Sequence, residues 1–169
     1  MDKDGQFEIS NFKNALGKYY FRKVGPSPLE YKIVKIISQC PHKNIVNFFV
    51  INTISLDMEI LDTEFQISNE TQSLKLITDM KNARNHLLSN GIVYIDWKLD
   101  NIGWSEEEQV FKLFDFDVSG TYDIKTLNWI NEPDKFFAYN LAVKYNITDP
   151  VGIDSFNFNK MVDELLMVY

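Results

Sequence analysis

Between Gly91 and Gly120 the chain concentrates side chains that can do chemistry together. Asp96, Lys98 and Asn101 hold the spacing D-x-K-x-x-N, and Asp115-Phe116 follows one short strand later. Phosphoryl transfer needs a carboxylate to orient the attacking hydroxyl, a cation beside the transferring group and oxygen ligands for Mg²⁺. Its catalysis is mostly positioning and charge neutralisation. Asp96 supplies the carboxylate, Lys98 the cation, and Asn101 with Asp115 the metal ligands. One carboxylate and one amide oxygen suit Mg²⁺, which keeps water and substrate phosphates for its other positions. Asn101 and Asp115 stand on opposite sides of what reads as one hairpin, so both can reach one ion.

Elements on either side must hold these residues in place. Ser73 to Asn90 carries Leu74, Ile77, Met80, Ala83, Leu87 and Leu88 at spacings of three and four, an amphipathic helix with Gly91 as its C-cap. His86 on it reads as a surface or edge residue. Trp104 to Gln109 reads as a solvated turn with an acidic tip, and Val110 to Phe114 as the strand that carries Asp115. Near the start, residues 5 to 24 read as strand, turn, strand. Phe7 and Ile9 alternate, Asn11, Asn14 and Gly17 are turn residues, and Lys18 to Val24 is rich in β-formers.

Ser27, Pro28 and Glu30 then suit an N-cap, a first helical position and a capping-box partner, followed by Leu29, Ile33, Ile36 and Ile37 at helical spacing. Strands are expected over Ile45 to Ile54 and Leu56 to Leu61. Residues 62 to 72 are polar and form a boundary. Pro133 to Tyr145 reads as a helix with Phe136, Phe137, Leu141 and Val143, and Asp154 as an N-cap candidate for the last helix.

The segment around Asp96 resembles the catalytic core of the eukaryotic-type protein kinase superfamily. That family's H-R-D-L-x-x-x-N reads Tyr94-Ile95-Asp96-Trp97-Lys98-Leu99-Asp100-Asn101 here, and its D-F-G reads Asp115-Phe116-Asp117. Cys40 to Val46 resembles the H-P-N-I-V sequence that follows the αC helix. The resemblance covers about residues 18 to 165. It implies an α+β, reduced bilobal kinase-like fold: a small β-rich N-lobe with an αC-like helix over 1–62, and a truncated helical C-lobe over 63–169 ending at an αF-like helix.

Residue by residue, the resemblance implies Lys23 as the phosphate-anchoring strand lysine, with Arg22 or Lys18 as substitutes, and Glu30 as its αC partner. Met58-Glu59-Ile60-Leu61 becomes the hinge that meets an adenine edge, with Met58, Glu59 and Leu61 as cofactor-binding positions. Asp154 becomes the αF carboxylate that braces the catalytic loop.

Departures from the pattern are plain. Tyr94 and Ile95 remove the basic residue that receives an activation-loop phosphate, so control by loop phosphorylation is not expected. Asp117 replaces a glycine and is either a further metal ligand or a solvated turn residue. No G-x-G-x-x-G-x-V loop covers the phosphates, since Gly5 and Gly17 are isolated, and no A-P-E motif is visible. Because the A-P-E glutamate and the later helices are absent together, a coherent reduction is expected, comparable to the RIO class, the small kinase of the tRNA-modifying KEOPS complex, or minimal kinase-like proteins of large DNA viruses and bacterial pathogens.

Composition bounds the rest. Net charge is −7 with 45% hydrophobic residues, which argues against a general nucleic-acid-binding surface and against a disordered chain. A single cysteine excludes an internal disulfide, and two histidines with it make a zinc site unfavourable. The polar start and short apolar runs predict no leader, no membrane span and an intracellular, cytoplasmic location, the host cytoplasm if the source is a virus or pathogen. The expected activity is Mg²⁺/ATP-dependent transfer of the γ-phosphate to a protein hydroxyl by a minimal Ser/Thr kinase. The alternatives are a pseudokinase-type module that binds a host kinase or another protein partner, and an ATPase subunit of an RNA-modification machine. Apolar surface left by the missing helices would be covered by a homodimer mate or that partner.

Overall fold

The computed structural model describes residues 7–13 and 17–168, with backbone alone over 7–12; Gly5 and Asn14, two of the residues read above, lie outside them. The chain is α+β. The β-formers near its start build an antiparallel pair, β1 (Phe7–Lys13) and β2 (Tyr19–Val24), with Phe7 opposite Lys23 and Ile9 opposite Phe21. Asn11, expected in a turn, lies within β1, at the irregularity between Ile9 and Lys13, whose pairing with β2 carries the strand through it.

Two further strands, β3 (Phe48–Ile51) and β4 (Ser55–Met58), complete a four-stranded antiparallel sheet in the order β1-β2-β4-β3. They are shorter than the expected 45–54 and 56–61. Ile45 forms only a bridge to Leu113, and the chain leaves the sheet after Met58. Between β2 and β3 runs α1 (Pro28–Gln39), capped by Ser27, whose hydroxyl accepts the Glu30 N–H at 3.1 Å. Its Ile33, Val34 and Ile37 are buried.

The long helix α2 (Glu70–Ser89) starts earlier than its apolar periodicity suggests, because Asn69 caps it by accepting from the Gln72 N–H. Leu76, Ile77, Met80, Ala83 and Leu87 are buried, whereas Leu74 is exposed. Gly91 follows in the left-handed region at φ +72°, where glycine carries no Cβ penalty. The chain then enters β5 (Ile92–Val93) and, after a 3₁₀ turn at Leu99–Asn101, the hairpin β6 (Ile102–Ser105) and β7 (Val110–Leu113). Trp104 belongs to β6 rather than to the turn. The acidic tip is partnered: Glu107 pairs with Lys18 at 2.7 Å, Glu108 with buried Lys112, and Glu106 accepts from Trp104 Nε1.

Strands β8 (Gly120–Tyr122) and β9 (Trp129–Asn131), which carry no clear sequence pattern, join β5 in a second sheet ordered β5-β8-β9. Helix α3 (Phe137–Lys144) begins later than Pro133 and turns Tyr139 and Ala142 inward, leaving Phe137 exposed. Tyr139 donates to Glu132, and burial together with that carboxylate pushes its phenol up to about 12. The last helix, α4 (Pro150–Met167), is capped by Asp149, which accepts the Gly152 N–H at 2.8 Å. Asp154 is therefore not the cap. It lies in the second turn and is 1% exposed.

One hydrophobic cluster joins Ile33, Val34, Leu56 and Met58 to Leu76, Met80, Ile102, Leu113, Phe116 and Phe158. Each such side chain contributes about 1.5–3 kcal/mol when fully buried. A second cluster gathers Val93, Ile95, Tyr122, Tyr139, Ala142 and Ile153 between the β5-β8-β9 sheet and the last two helices. Among the described residues, no helix is long and apolar enough to cross a membrane.

Candidate functional site

The residues with chemical potential meet in two groups joined by the open end of the β6–β7 hairpin. Its register sets Ile102 opposite Leu113, so Asn101 and Phe114 face one another, and the Phe114 N–H donates to the Asn101 carbonyl at 3.0 Å. Asp115 is the next residue. It sits at φ +62°, uncommon for a residue other than glycine.

The first group is built on β2 and α1. Side chains alternate along a strand, so Arg22 and Lys23 point to opposite faces. Arg22 forms a bidentate pair with Asp57 at 2.7 and 2.8 Å, and Lys18 pairs with Glu107. Lys23 is the one of the three that reaches Glu30, at 2.9 Å, and Asp115, at 3.1 Å; Asp117 lies at 3.9 Å. Lys23 and Glu30 are both buried. Burial works against the lysine's charge, yet Asp115 and Glu30 outweigh it and hold its pKa above the ordinary lysine value. Burial pushes Glu30 up to about 7 against the pull of Lys23. The two readings of Glu30 resolve here: its N–H serves the Ser27 cap, while its carboxylate goes to Lys23 and does not close a capping box.

The second group is the loop from Tyr94 to Asn101. Asn101 Nδ2 donates to the Asp96 Oδ2 at 2.9 Å and to the Asp96 carbonyl at 3.0 Å, and Lys98 Nζ lies 3.3 Å from Asp96 Oδ2. With its Nδ2 thus engaged, Asn101 has its Oδ1 as the atom that could hold a metal. Asp96 and Lys98 are partly exposed while Asn101 is buried, so the first two can meet a substrate and Asn101 holds Asp96 in place.

Asp154 fixes the loop from beneath. Its Oδ1 accepts the N–H of Tyr94 at 3.1 Å, that of Ile95 at 2.8 Å and Trp97 Nε1 at 2.8 Å. Its Oδ2 takes Arg84 Nε at 2.6 Å. Tyr94 lies between the two groups. Its hydroxyl donates to the Phe114 carbonyl at 2.6 Å, and its ring packs edge-on against Phe116. Burial, then Asp115 and Asp96, push the phenol well above the ordinary tyrosine range, so the hydroxyl stays a donor.

Beside these groups an apolar cavity of about 150 Å³ is lined by Phe21, Val46, Met58, Glu59, Ile60, Leu61, Thr63 and Phe114. Met58, Glu59 and Leu61, the three hinge positions among the five expected to bind the cofactor, line it, whereas Lys23 and Glu30 do not. The Glu59 carboxylate is occupied, accepting from Asn47 N–H at 2.8 Å and Lys112 Nζ at 2.7 Å.

Sequence reading missed Arg84 and Trp97, which complete the Asp154 brace, and Lys112, which is fully buried under Glu59 and Glu108. Arg84 carries no signal in the helical pattern. Lys112 had one, a lysine between apolar residues on a strand following an acidic run. Among the described residues, no three or more His, Cys, Asp or Glu side chains form a metal-holding group. A scan against protein-family models and a search of curated proteins each matched nothing to this chain.

Proposed function

We propose that the chain is a Mg²⁺/ATP-dependent phosphotransferase of reduced protein-kinase type, acting on a protein hydroxyl, with an N-lobe over 1–62 and a truncated C-lobe over 63–169. The observation that carries the reading is the meeting of Lys23, Glu30 and Asp115 on one ammonium. Asp115 lies 92 positions from Lys23 in the chain. In protein kinases a strand lysine paired with a helix glutamate, together with the metal-binding aspartate, must be in place for transfer.

The donor set fits the metal. Asn101 and Asp115 offer hard oxygens, and Glu30 Oε1 is a buried carboxyl oxygen with no hydrogen-bond partner. Mg²⁺ on Asn101 and Asp115 would supply neutralisation of the phosphate oxygens. Lys23, held by Glu30, would anchor the nucleotide's phosphates. The cavity at Met58 to Leu61 has the apolar walls and the size for a flat base, met by the Glu59 carbonyl and the Leu61 amide, since the Glu59 N–H is already given to Asn47.

Asp96 orients the acceptor hydroxyl and takes its proton as the new P–O bond forms and the bond from the γ-phosphorus to the bridging oxygen breaks, releasing ADP, with Lys98 balancing the developing charge. Ile95, buried in the second hydrophobic cluster, stands where the family's phosphate-receiving arginine would be, which supports a site that works without loop phosphorylation.

Transfer of labelled γ-phosphate from Mg²⁺/ATP by wild type, lost in Asp115→Asn, tests the reading. No transfer by wild type, with no ATP-dependent rise in melting temperature, overturns it. The alternative of a non-catalytic binding module draws support from the exposed Phe137 and Tyr145. Function that survives Asp96→Ala in cells would favour that module.

A further inference from the structure

Two histidines lie outside the groups described so far, and they meet each other. His42, in the segment between α1 and β3, stacks on His86 of α2 with ring centroids 4.7 Å apart and planes 29° from parallel. Each ring also holds a backbone group. His86 Nε2 lies 2.6 Å from the Cys40 carbonyl and therefore donates to it, whereas the Asn44 N–H donates to His42 Nδ1 at 3.1 Å. A proton affects the two bonds differently. Nε2–H donates from a neutral or a charged ring, but Nδ1 accepts only while it is unprotonated. His86 keeps its bond in either state, and His42 only when neutral.

The group that His42 satisfies is buried. Asn44 is 0% exposed and stitches its segment to β7: its Nδ2 donates to the Phe111 carbonyl at 3.0 Å, and its own carbonyl accepts the Leu113 N–H at 2.9 Å. Val46 extends the seam by donating its N–H to the Leu113 carbonyl at 3.0 Å. Leu113 ends β7, two positions before Asp115. Asn44 Oδ1 already lacks a hydrogen-bond partner, so the residue has no slack for a second loss. A charged His42 would set Nδ1–H against the Asn44 N–H, donor to donor. The ring must then turn away, leaving a buried N–H without an acceptor.

From this arrangement we infer that the histidine pair is a proton-operated latch: neutral His42 fastens residues 42–46 to β7 and α2, and a proton on it releases the Asn44 amide and slackens the strand end that presents Asp115. Control of phosphate transfer by the latch rests on the phosphotransferase reading; the release does not. Burial, then the charges of His86 on α2 and Lys43 beside it, hold the His42 pKa below its ordinary value of 6.5. The end of α1 meets the pair through Cys40, and β7 meets the segment through backbone groups. The folded chain binds this proton less readily than the unfolded chain, so the stability from His42 is complete above about 6.5 and is lost as pH falls through the folded value.

The test follows amide hydrogen-exchange protection in the nucleotide-free chain by NMR, at about pH 7.5 and about pH 5, on either side of the imidazole range. The His42 ring Cε1–H resonance reports its titration in the same samples. Wild type is compared with His42→Asn, whose side-chain oxygen accepts the N–H two residues on without titrating, and with His42→Ala, which offers no acceptor. In wild type, protection factors of the Asn44 and Leu113 amides should fall on the order of tenfold in step with the His42 titration. His42→Asn should keep its protection at both pH values, and His42→Ala should lack it at both. The Phe158 amide within α4 reports any global loss, and comparison with His42→Asn at one pH removes the opposite dependence on Glu30.

Equal protection of Asn44 in wild type at both pH values, or a loss in His42→Asn that matches wild type, overturns the inference. A fall at Phe158 as large as that at Asn44 also overturns it, since the whole chain would then be opening. Phosphate transfer should weaken more in wild type than in His42→Asn as pH falls over the same range. Equal weakening in both overturns the link to Asp115. No transfer from either at any pH, with the amide switch intact, overturns the phosphotransferase reading alone.

Discussion

Asp154 Oδ1 accepts the N–H of Ile95 at 2.8 Å, and Ile95 is held at φ +71°. A β-branched residue in the left-handed region is strained by on the order of 1–3 kcal/mol and persists only when its surroundings over-determine it. Here the bonds to Tyr94, Ile95 and Trp97 and the burial of the Ile95 side chain do so. The strain sits one residue before Asp96.

Asp154→Asn should therefore destabilise the fold and release the loop together. It removes the charge opposite Arg84, which is 17% exposed, and breaking such a pair costs about 3 kcal/mol. Urea unfolding should show the lowered midpoint, and phosphate transfer should fall further than stability alone explains at a temperature where the variant is folded. An unchanged midpoint would contradict the brace.

Lys23→Met should abolish the nucleotide response while leaving a folded chain, because Glu30 can then take up a proton. The expected result is loss of the Mg²⁺/ATP-dependent rise in melting temperature. Arg22→Met, whose guanidinium faces Asp57 on the other side of the strand, should retain that rise. Equal loss in both would remove Lys23 from its role.

Glu30 sets a pH dependence. Its folded pKa of about 7 lies above the ordinary value of 4.5, so the folded state binds more protons than the unfolded one between those values. Stability from this group is fully present below about 4.5 and is lost as pH rises through about 7, by up to about 3 kcal/mol. Thermal melting of wild type against Glu30→Gln from pH 5 to pH 8, on the order of that window, should show the two curves diverging. Wild type should fall as pH rises, and parallel curves would refute the assignment.

Asp96→Asn keeps an oxygen for the Asn101 Nδ2 bond and should change stability by less than about 1 kcal/mol. Transfer should fall by on the order of 10²–10⁴, the range for a lost general base. Single-turnover kinetics under saturating ATP would separate that loss from any change in binding.

Gly103→Ala tests the joint between the hairpin and the cavity lined by Met58 and Leu61. A Cβ at position 103 would clash with the Leu61 Cβ, in the place where Asp62 and Trp104 exchange backbone bonds. Overpacking of this kind costs about 1–3 kcal/mol. The loss should appear as a lowered urea midpoint and as weaker ATP binding, because Leu61 lines the cavity.

Residue type and spacing were sufficient for whatever depends on neighbours in the chain. Ser27 before Pro28, the apolar stripe from Ile77 to Leu87, Gly91 after it and the hairpin bearing Asn101 and Asp115 all follow from propensity, capping and local register, which act over a few residues. Local pattern was insufficient where distant partners compete. Asn11 was carried into a strand because Ile9 and Lys13 on either side of it pair with β2, Leu74 stayed outside because α2 packs through the face of Leu76 and Met80, and Asp149 took the cap that Asp154 could have taken.

The sequence by itself determined which groups can do chemistry: Asp96, Lys98, Asn101 and Asp115 are legible as a set because their spacing is short and one hairpin joins them. Only the tertiary structure decided which lysine reaches them, where the Glu30 carboxylate goes and what Asp154 holds. Asp154 meets partners 57 to 70 positions away and Asp115 meets Lys23 across 92, while Glu30 lies seven positions from Lys23 but reaches it only because a strand and a helix pack together. Strand alternation and burial, which turn Lys23 inward and Arg22 outward, make such choices, and local propensity does not.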